Sequence, residues 1–220
     1  MPALPLPSGE KKSVACWNCG QAAGLHFCAH CGSVQRPSGD FFEYLGLDHK
    51  LQVDLPALER HFYSLSRRLH PDIYFQRSRQ EREIAENAAA RLNDAYRTLK
   101  DPVKRAEHLL DTLGVPRKRR DPRGPRAGGN PPELVEEIFE VQMLLEHVRE
   151  GNQSAAGGLA RAKVKFETLL QKTDASLAAC FAEWDRARQP QTLREISTIL
   201  DRRSYLERVL QDIKAALADD

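Results

Sequence analysis

The chain has no apolar run long enough to cross a membrane, so a spanning helix is excluded as an expectation. It has almost no excess of one charge. Lys and Arg number 33 against 31 Asp and Glu, for a formal +2, so no whole-chain field points to nucleic acid or to an anionic surface. Aromatic residues are only 7% of the chain. Residues 1–13 hold Pro, Leu and two Lys but no Arg and no apolar signal core. That composition argues against a secretory signal and gives little support to a mitochondrial presequence. The expected location is the cytoplasm, or the mitochondrial matrix if the source is eukaryotic. With no signal peptide, the five Cys favour free thiols or a metal site over structural disulfides. Inspection finds no internal repeat.

What is present is mostly helix. In 220 residues, 41% hydrophobic, there is room for one to three compact units. Leu55, Leu58, Phe62, Leu65 and Leu69 recur at the three-and-four spacing of one helix face, with Asp54 as N-cap and Pro56 in the first turn. Arg60, Ser64, Arg67 and Arg68 fall mainly on the opposite side. A second stripe runs Ile84, Ala88, Leu92, Ala95, Leu99. Between them stands His70-Pro71-Asp72, where Pro71 forbids continuous helix and the two helices fold back as a hairpin. The loop presents an imidazole and a carboxylate beside a basic helix face. A short helix near Phe41–Leu45 precedes the pair, and another from Pro102 to about Thr112 follows, stopped by Gly114 and Pro116.

Four of the cysteines form two C-x-x-C pairs, Cys16/Cys19 and Cys28/Cys31, eight residues apart and each followed by Gly. Four thiolates at this spacing supply the closed tetrahedral sphere of one structural Zn²⁺, and metal binding would largely fold the segment. A rubredoxin-like iron site, two disulfides or a redox C-x-x-C are the rival readings. His26 and His30 are spare to a four-thiol set. Cys180 sits at helical spacing from Leu177, Phe181 and Trp184 and reads as a small core residue. His49, His61, His108 and His147 read as surface or helix-face residues.

Residues 116–132 are basic and rich in Pro and Gly, the composition of a solvated linker. The run Arg117–Arg126 could bind nucleic acid, but no aromatic residue accompanies it to stack on bases. Helix pattern returns after residue 133. Leu134, Ile138, Val141, Leu145 and Val148 make one stripe, and Leu159, Ala162, Phe166 and Leu169 another after Gly157-Gly158. Asp174 reads as an N-cap before Leu177, Phe181 and Trp184, and a long helix follows Pro190. The first of these helices carries more apolar residues than one core face needs. Val135, Phe139 and Met143 point away from its main stripe, either into a second buried face or out to a partner.

Around the tripeptide, Phe41-Phe42-Glu43-Tyr44-Leu45-Gly46-Leu47, Arg67-Arg68-Leu69-His70-Pro71-Asp72 and Asn93-Asp94-Ala95-Tyr96-Arg97-Thr98-Leu99-Lys100-Asp101-Pro102 together resemble a J domain. That is the module through which co-chaperones drive ATP hydrolysis by DnaK-type chaperones. With Glu137-Ile138-Phe139-Glu140-Val141-Gln142 and Asp101 to Leu110 added, residues 14–215 are similar to the HscB (fungal Jac) family, which serves iron–sulfur cluster assembly. Some members carry an N-terminal tetracysteine zinc module.

The resemblance implies an all-α fold. A zinc module (14–35) follows a flexible N-terminus (1–13). A J-domain helical hairpin (40–112), a linker (113–132) and a C-terminal antiparallel helical bundle (133–220) complete the chain. It implies a co-chaperone with no enzymatic chemistry of its own. His70, Pro71, Asp72, Arg60, Arg67 and Arg68 would engage a DnaK/HscA-type chaperone. Val135, Phe139, Glu140, Gln142, Met143 and Tyr205 would bind an IscU-type cluster scaffold, and Cys16, Cys19, Cys28 and Cys31 would hold one Zn. No nucleic acid or membrane partner is implied. The sequence departs from the family at Glu136, where an apolar residue is usual, and at Met143, where an acidic one is. A J protein with a different client, a thiol–disulfide oxidoreductase and a zinc-containing nucleic-acid binder remain as alternatives.

Overall fold

The structure is a computed structural model and describes residues 14–116, 135–152 and 154–218. The flexible N-terminus expected at 1–13, most of the expected linker including Arg117–Arg126, and Glu133 and Leu134 lie outside the described residues. Seven α-helices and no strands occur among those described. The chain divides into two compact units, 1–114 and 115–220.

In the first unit, Asp40 caps α1 (Phe41–Tyr44), accepting from the Phe42 and Glu43 amides. Asp54 caps α2 (Leu55–Arg68) in the same way, with Pro56 in its first turn, where the missing N–H costs nothing. A 3-10 turn (Pro71–Tyr74) leads to α3 (Arg79–Lys100), capped by Ser78. Asp101 ends α3 and caps α4 (Pro102–Thr112). The core between these helices is built from Leu58, Leu69, Ile84, Ala88, Leu92, Leu99 and Leu109, with Phe42, Tyr44 and Leu51. Phe62 stacks on Tyr96 at 4.2 Å between ring centres, fastening α2 to α3. Arg105 of α4 is buried because its guanidinium donates to the Leu51 and Leu99 carbonyls, satisfying the C-terminal end of α3.

Two histidines expected on the surface or on a helix face are half-buried and bonded into the fold. His108 Nε2 accepts from the Phe41 amide at 3.1 Å, and its ring stacks on Phe41 at 4.4 Å. His49 Nε2 lies 2.6 Å from the Asp40 carboxylate that caps α1. Helix periodicity reports which face a residue occupies, not which loop folds over that face.

The second unit contains α5 (Val135–Arg149), α6 (Ser154–Ala187) and α7 (Pro190–Ala218). Its core joins Ile138, Val141 and Leu145 to Leu159, Ala162 and Phe166, and to Leu206, Val209, Leu210 and Ile213. The break expected at Asp174 does not exist: α6 runs through it for 34 residues. Instead of capping, the Asp174 carboxylate accepts from Arg203 Nε of α7 at 2.6 Å, and Arg203 also pairs with Glu207. Gly157 and Gly158 lie inside α6 rather than ahead of it. Gly158 is the point of close approach, since a Cβ there would stand 2.7 Å from Leu144 Cδ2.

Candidate functional site

The exposed tip of the α2–α3 hairpin is the first candidate. His70 is the N-cap of the 3-10 turn, its Nδ1 accepting weakly from the Asp72 amide at 3.4 Å. Pro71 occupies the first position of that turn, where φ is already suitable. Beneath the tip, the Tyr74 ring is buried and its hydroxyl donates to the Arg68 carbonyl at 3.0 Å, joining the turn to the last residue of α2. The His70 and Asp72 side chains are 57% and 88% exposed and within 3.5 Å of each other, so neither supports the core. Arg60 and Arg67 are exposed on α2. Periodicity did not single out Ile73 (55% exposed), Phe75 or Tyr63, yet all three carry apolar surface into solvent near the tip or along α2. An apolar side chain within two or three residues of an exposed charged loop was the available signal.

The second candidate is the cysteine module. Tetrahedral metal–sulfur bonds of about 2.3 Å place sulfurs about 3.8 Å apart. Cys16 and Cys31 Sγ are 3.6 Å apart, Cys19 and Cys28 Sγ 3.7 Å, and all four lie within 4.8 Å of one another. The four thiols can therefore hold one metal ion. Two like knuckles bring them together. Gly20 N donates to Cys16 O and Gly32 N to Cys28 O, both at 2.9 Å, with φ of 73° and 74° that a side chain would strain. The bonds Ala23 N to Val14 O and Gln35 N to His26 O match in register, as do the bridges Ala15 with Ala22 and Phe27 with Val34. A twelve-residue backbone repeat is thus present that the side chains conceal, since little but Cys and Gly recurs.

Hydrogen bonds tune the sulfurs. The Ser33 hydroxyl and backbone draw Cys31 down to about 6. At Cys19 the Gln21 backbone lowers the value, but burial and the neighbouring sulfurs outweigh it and push it up to about 12. A bound dication overrides both, since a coordinating thiol is deprotonated outright. Between Val14 and Gln35 the sequence holds no Asp, Glu, Lys or Arg. His26 turns away from the thiols: its ring meets Tyr44 edge-on at 4.6 Å, and burial lowers its pKa. Phe27 lies under Arg68, whose guanidinium carbon is 4.0 Å from the ring centre. Arg68, expected on the basic face of α2, is exposed like Arg60 and Arg67 and also touches the module.

The third candidate is the outer side of α5. Ile138, Val141 and Leu145 are buried, whereas Val135, Phe139 and Met143 are 47%, 64% and 41% exposed. Glu140 and Gln142 are also exposed. Of the two readings left open for the surplus apolar residues, the exposed one holds within this chain. Tyr205 does not join that surface. It is only 9% exposed and belongs to the bundle core with Leu206 and Val209. Cys180 is half-buried, and burial raises its thiol pKa.

Among proteins of known identity, the DnaJ domain family model matches residues 40–108. A "Co-chaperone protein HscB homolog" from Vibrio vulnificus is 30% identical over 171 residues, 76% of this chain and 95% of that protein. The chain belongs to the HscB co-chaperone family. The "Iron-sulfur cluster co-chaperone protein HscB homolog" of Arabidopsis thaliana is 29% identical over 209 residues, covering 93% of this chain and 75% of that one. The crystal structure of human co-chaperone protein HscB shares the all-α fold, with a TM-score of 0.70 and 24% identity over 92% of this chain and 98% of that one. This HscB-type chain thus joins a J domain to helices that carry an exposed apolar face. Among its described residues, no helix is long and apolar enough to cross a membrane.

Proposed function

We propose that this chain is an adaptor between two proteins and catalyses no covalent step itself. Its J domain docks on the ATP-bound form of a DnaK/HscA-type chaperone through Arg60, Arg67 and Arg68. His70, Pro71 and Asp72, flanked by Ile73 and Phe75, then bias that chaperone towards hydrolysis. The α5 surface of Val135, Phe139, Glu140, Gln142 and Met143 holds an IscU-type iron–sulfur scaffold, and the four cysteines hold one structural Zn²⁺. The functional parts follow the boundaries 14–35, 40–112, 113–132 and 133–220. The working compartment is the bacterial cytoplasm, or the mitochondrial matrix in a eukaryote.

The observation that carries this reading is the exposed pair His70 and Asp72 at the hairpin turn, of which Asp72 is 88% exposed and supports no core. Surface side chains without a structural task can be changed at a cost within about 0.5 kcal/mol. Asp72→Asn should therefore leave the fold intact and abolish stimulation of the chaperone in a single-turnover ATPase assay. Stimulation at the wild-type level by a folded Asp72→Asn protein would defeat the proposal. Protein purified without chelator should contain one zinc per chain by elemental analysis, and iron in its place would redirect the metal assignment.

A further inference from the structure

The two cysteine knuckles share one backbone but differ in what they present. In the first, the positions before Cys16 are Val14, which is 60% exposed, and Ala15, also exposed. In the second, the matching positions are His26 and Phe27, and both meet the J helices: His26 against Tyr44, Phe27 beneath Arg68. Arg68 ends α2 two residues before His70, and its carbonyl is the acceptor of the Tyr74 hydroxyl that pins the 3-10 turn. A short line of contacts therefore runs from metal ligand Cys28 through its neighbour Phe27 to Arg68, and through Tyr74 to the turn that carries Pro71 and Asp72. Apart from its sulfurs the module buries little, chiefly Ser33, Val34 and Gln35. Its order thus depends on the metal.

We propose that Phe27 and His26 are positioning residues for the chaperone-docking end of α2, so that metal binding at the four cysteines is linked to the order of Arg68 and of the His70–Asp72 turn. The importance of that end for docking rests on the function proposed above; the linkage itself does not. Linkage is reciprocal: if the metal steadies Arg68 through Phe27, then the Arg68–Phe27 contact must tighten the metal. A guanidinium–ring contact at an exposed site has a strength that corresponds to at most roughly a fivefold change in an equilibrium constant.

The experiment follows amide hydrogen exchange in the full chain, with and without a zinc chelator, alongside competitive zinc titration. In wild type, stripping the metal should speed exchange by up to about fivefold at Leu69 to Phe75. Phe27→Ala should bind zinc with one-to-one stoichiometry and up to about fivefold weaker affinity. Its turn amides should already exchange fast and should not respond to the chelator. Val14→Ala, a truncation at the exposed first-knuckle counterpart of His26, should behave as wild type. Should Phe27→Ala fail to hold metal at all, Arg68→Ala decides the matter, because it leaves the module's sequence intact and must weaken zinc by the same factor. Metal-independent exchange at the turn in wild type, or undiminished zinc affinity in Arg68→Ala, overturns the linkage. Neither readout involves a chaperone. A wild-type chain that shows the linkage but stimulates no ATPase refutes the proposed function alone.

Discussion

At the scale of single residues, one imidazole sets an acid limit for the J domain. His108 is held neutral: burial lowers its pKa below the ordinary 6.5, Arg91 and His49 act in the same direction, and Asp40 and Asp111 oppose them. Its Nε2 must stay unprotonated to accept from Phe41. An unfolded chain binds the proton more readily than the folded one, so this contribution is complete above about pH 6.5 and is lost as the pH falls below it. Asp40, whose pKa is lowered despite burial by its bond to His49, acts in a separate window below 3.8. Thermal unfolding at pH 7.5 and 5.5 should therefore show a smaller drop in Tm for His108→Gln than for wild type. His26 responds in the same direction, so the difference between the two proteins is the informative quantity. An equal drop in both would remove His108 as the cause.

The tripeptide and the four thiols were legible in the sequence because their chemistry depends on residue type and short spacing. The tasks of His108, Arg105 and Tyr205 were not. Each depends on what a distant segment brings to the residue: the Phe41 amide, the Leu51 carbonyl and the bundle core.

At the scale of elements, most helix positions followed from periodicity, and the Asp54 cap from an Asp ahead of an apolar run. The caps Asp40, Ser78 and Asp101 emerge only in the structure. Asp174 had the same local look but lies mid-helix, where its partner Arg203 is 29 residues away in sequence. Local capping and a long-range ion pair use the same carboxylate, and only the fold decides between them. The Gly157-Gly158 pair precedes the apolar stripe in the sequence pattern, yet it lies within α6. These two glycines separate propensity from packing. A Cβ at Gly157 has only an ordinary 3.9 Å contact with Arg161, so Gly157→Ala should stabilise the bundle by about 0.5 kcal/mol. Gly158→Ala gains the same propensity but must push Leu144 aside, so its gain should vanish or reverse. Urea midpoints of the two variants rank them, and equal stabilisation would show that Leu144 yields freely.

At the scale of the whole molecule, all-helical architecture and two helical regions were legible from composition and periodicity. That the cysteine module falls within the same compact unit as the J helices was not. Its contacts come from His26 and Phe27, single residues too few to make a pattern. On the proposed reading, the value of one chain carrying both surfaces is effective concentration. Loss of a buried interface anchor costs about 2 kcal/mol or more, so Phe139→Ala with Met143→Ala should weaken scaffold binding at least about thirtyfold. Because both side chains are exposed, circular dichroism should stay unchanged. An equimolar mixture of that double variant with Asp72→Asn should fail to restore scaffold-dependent ATPase stimulation, since neither chain joins the two partners. Recovery in the mixture would show that tethering is unnecessary. Unchanged scaffold affinity in calorimetric titration would dismiss the α5 surface.

The uncharged composition of residues 14–35 bears on how the protein behaves in bulk solution. A dication bound by four thiolates leaves about two net negative charges on that segment, and no lysine or arginine lies within it to offset them. The whole chain carries a formal +2 before loading, so loading brings it close to neutrality. Isoelectric focusing should separate the two forms, with the loaded one at the more acidic position. Mutual repulsion between chains is weakest when net charge is near zero. Near neutral pH the metal-bound protein should therefore be the less soluble of the two, even though its N-terminal segment is the better folded.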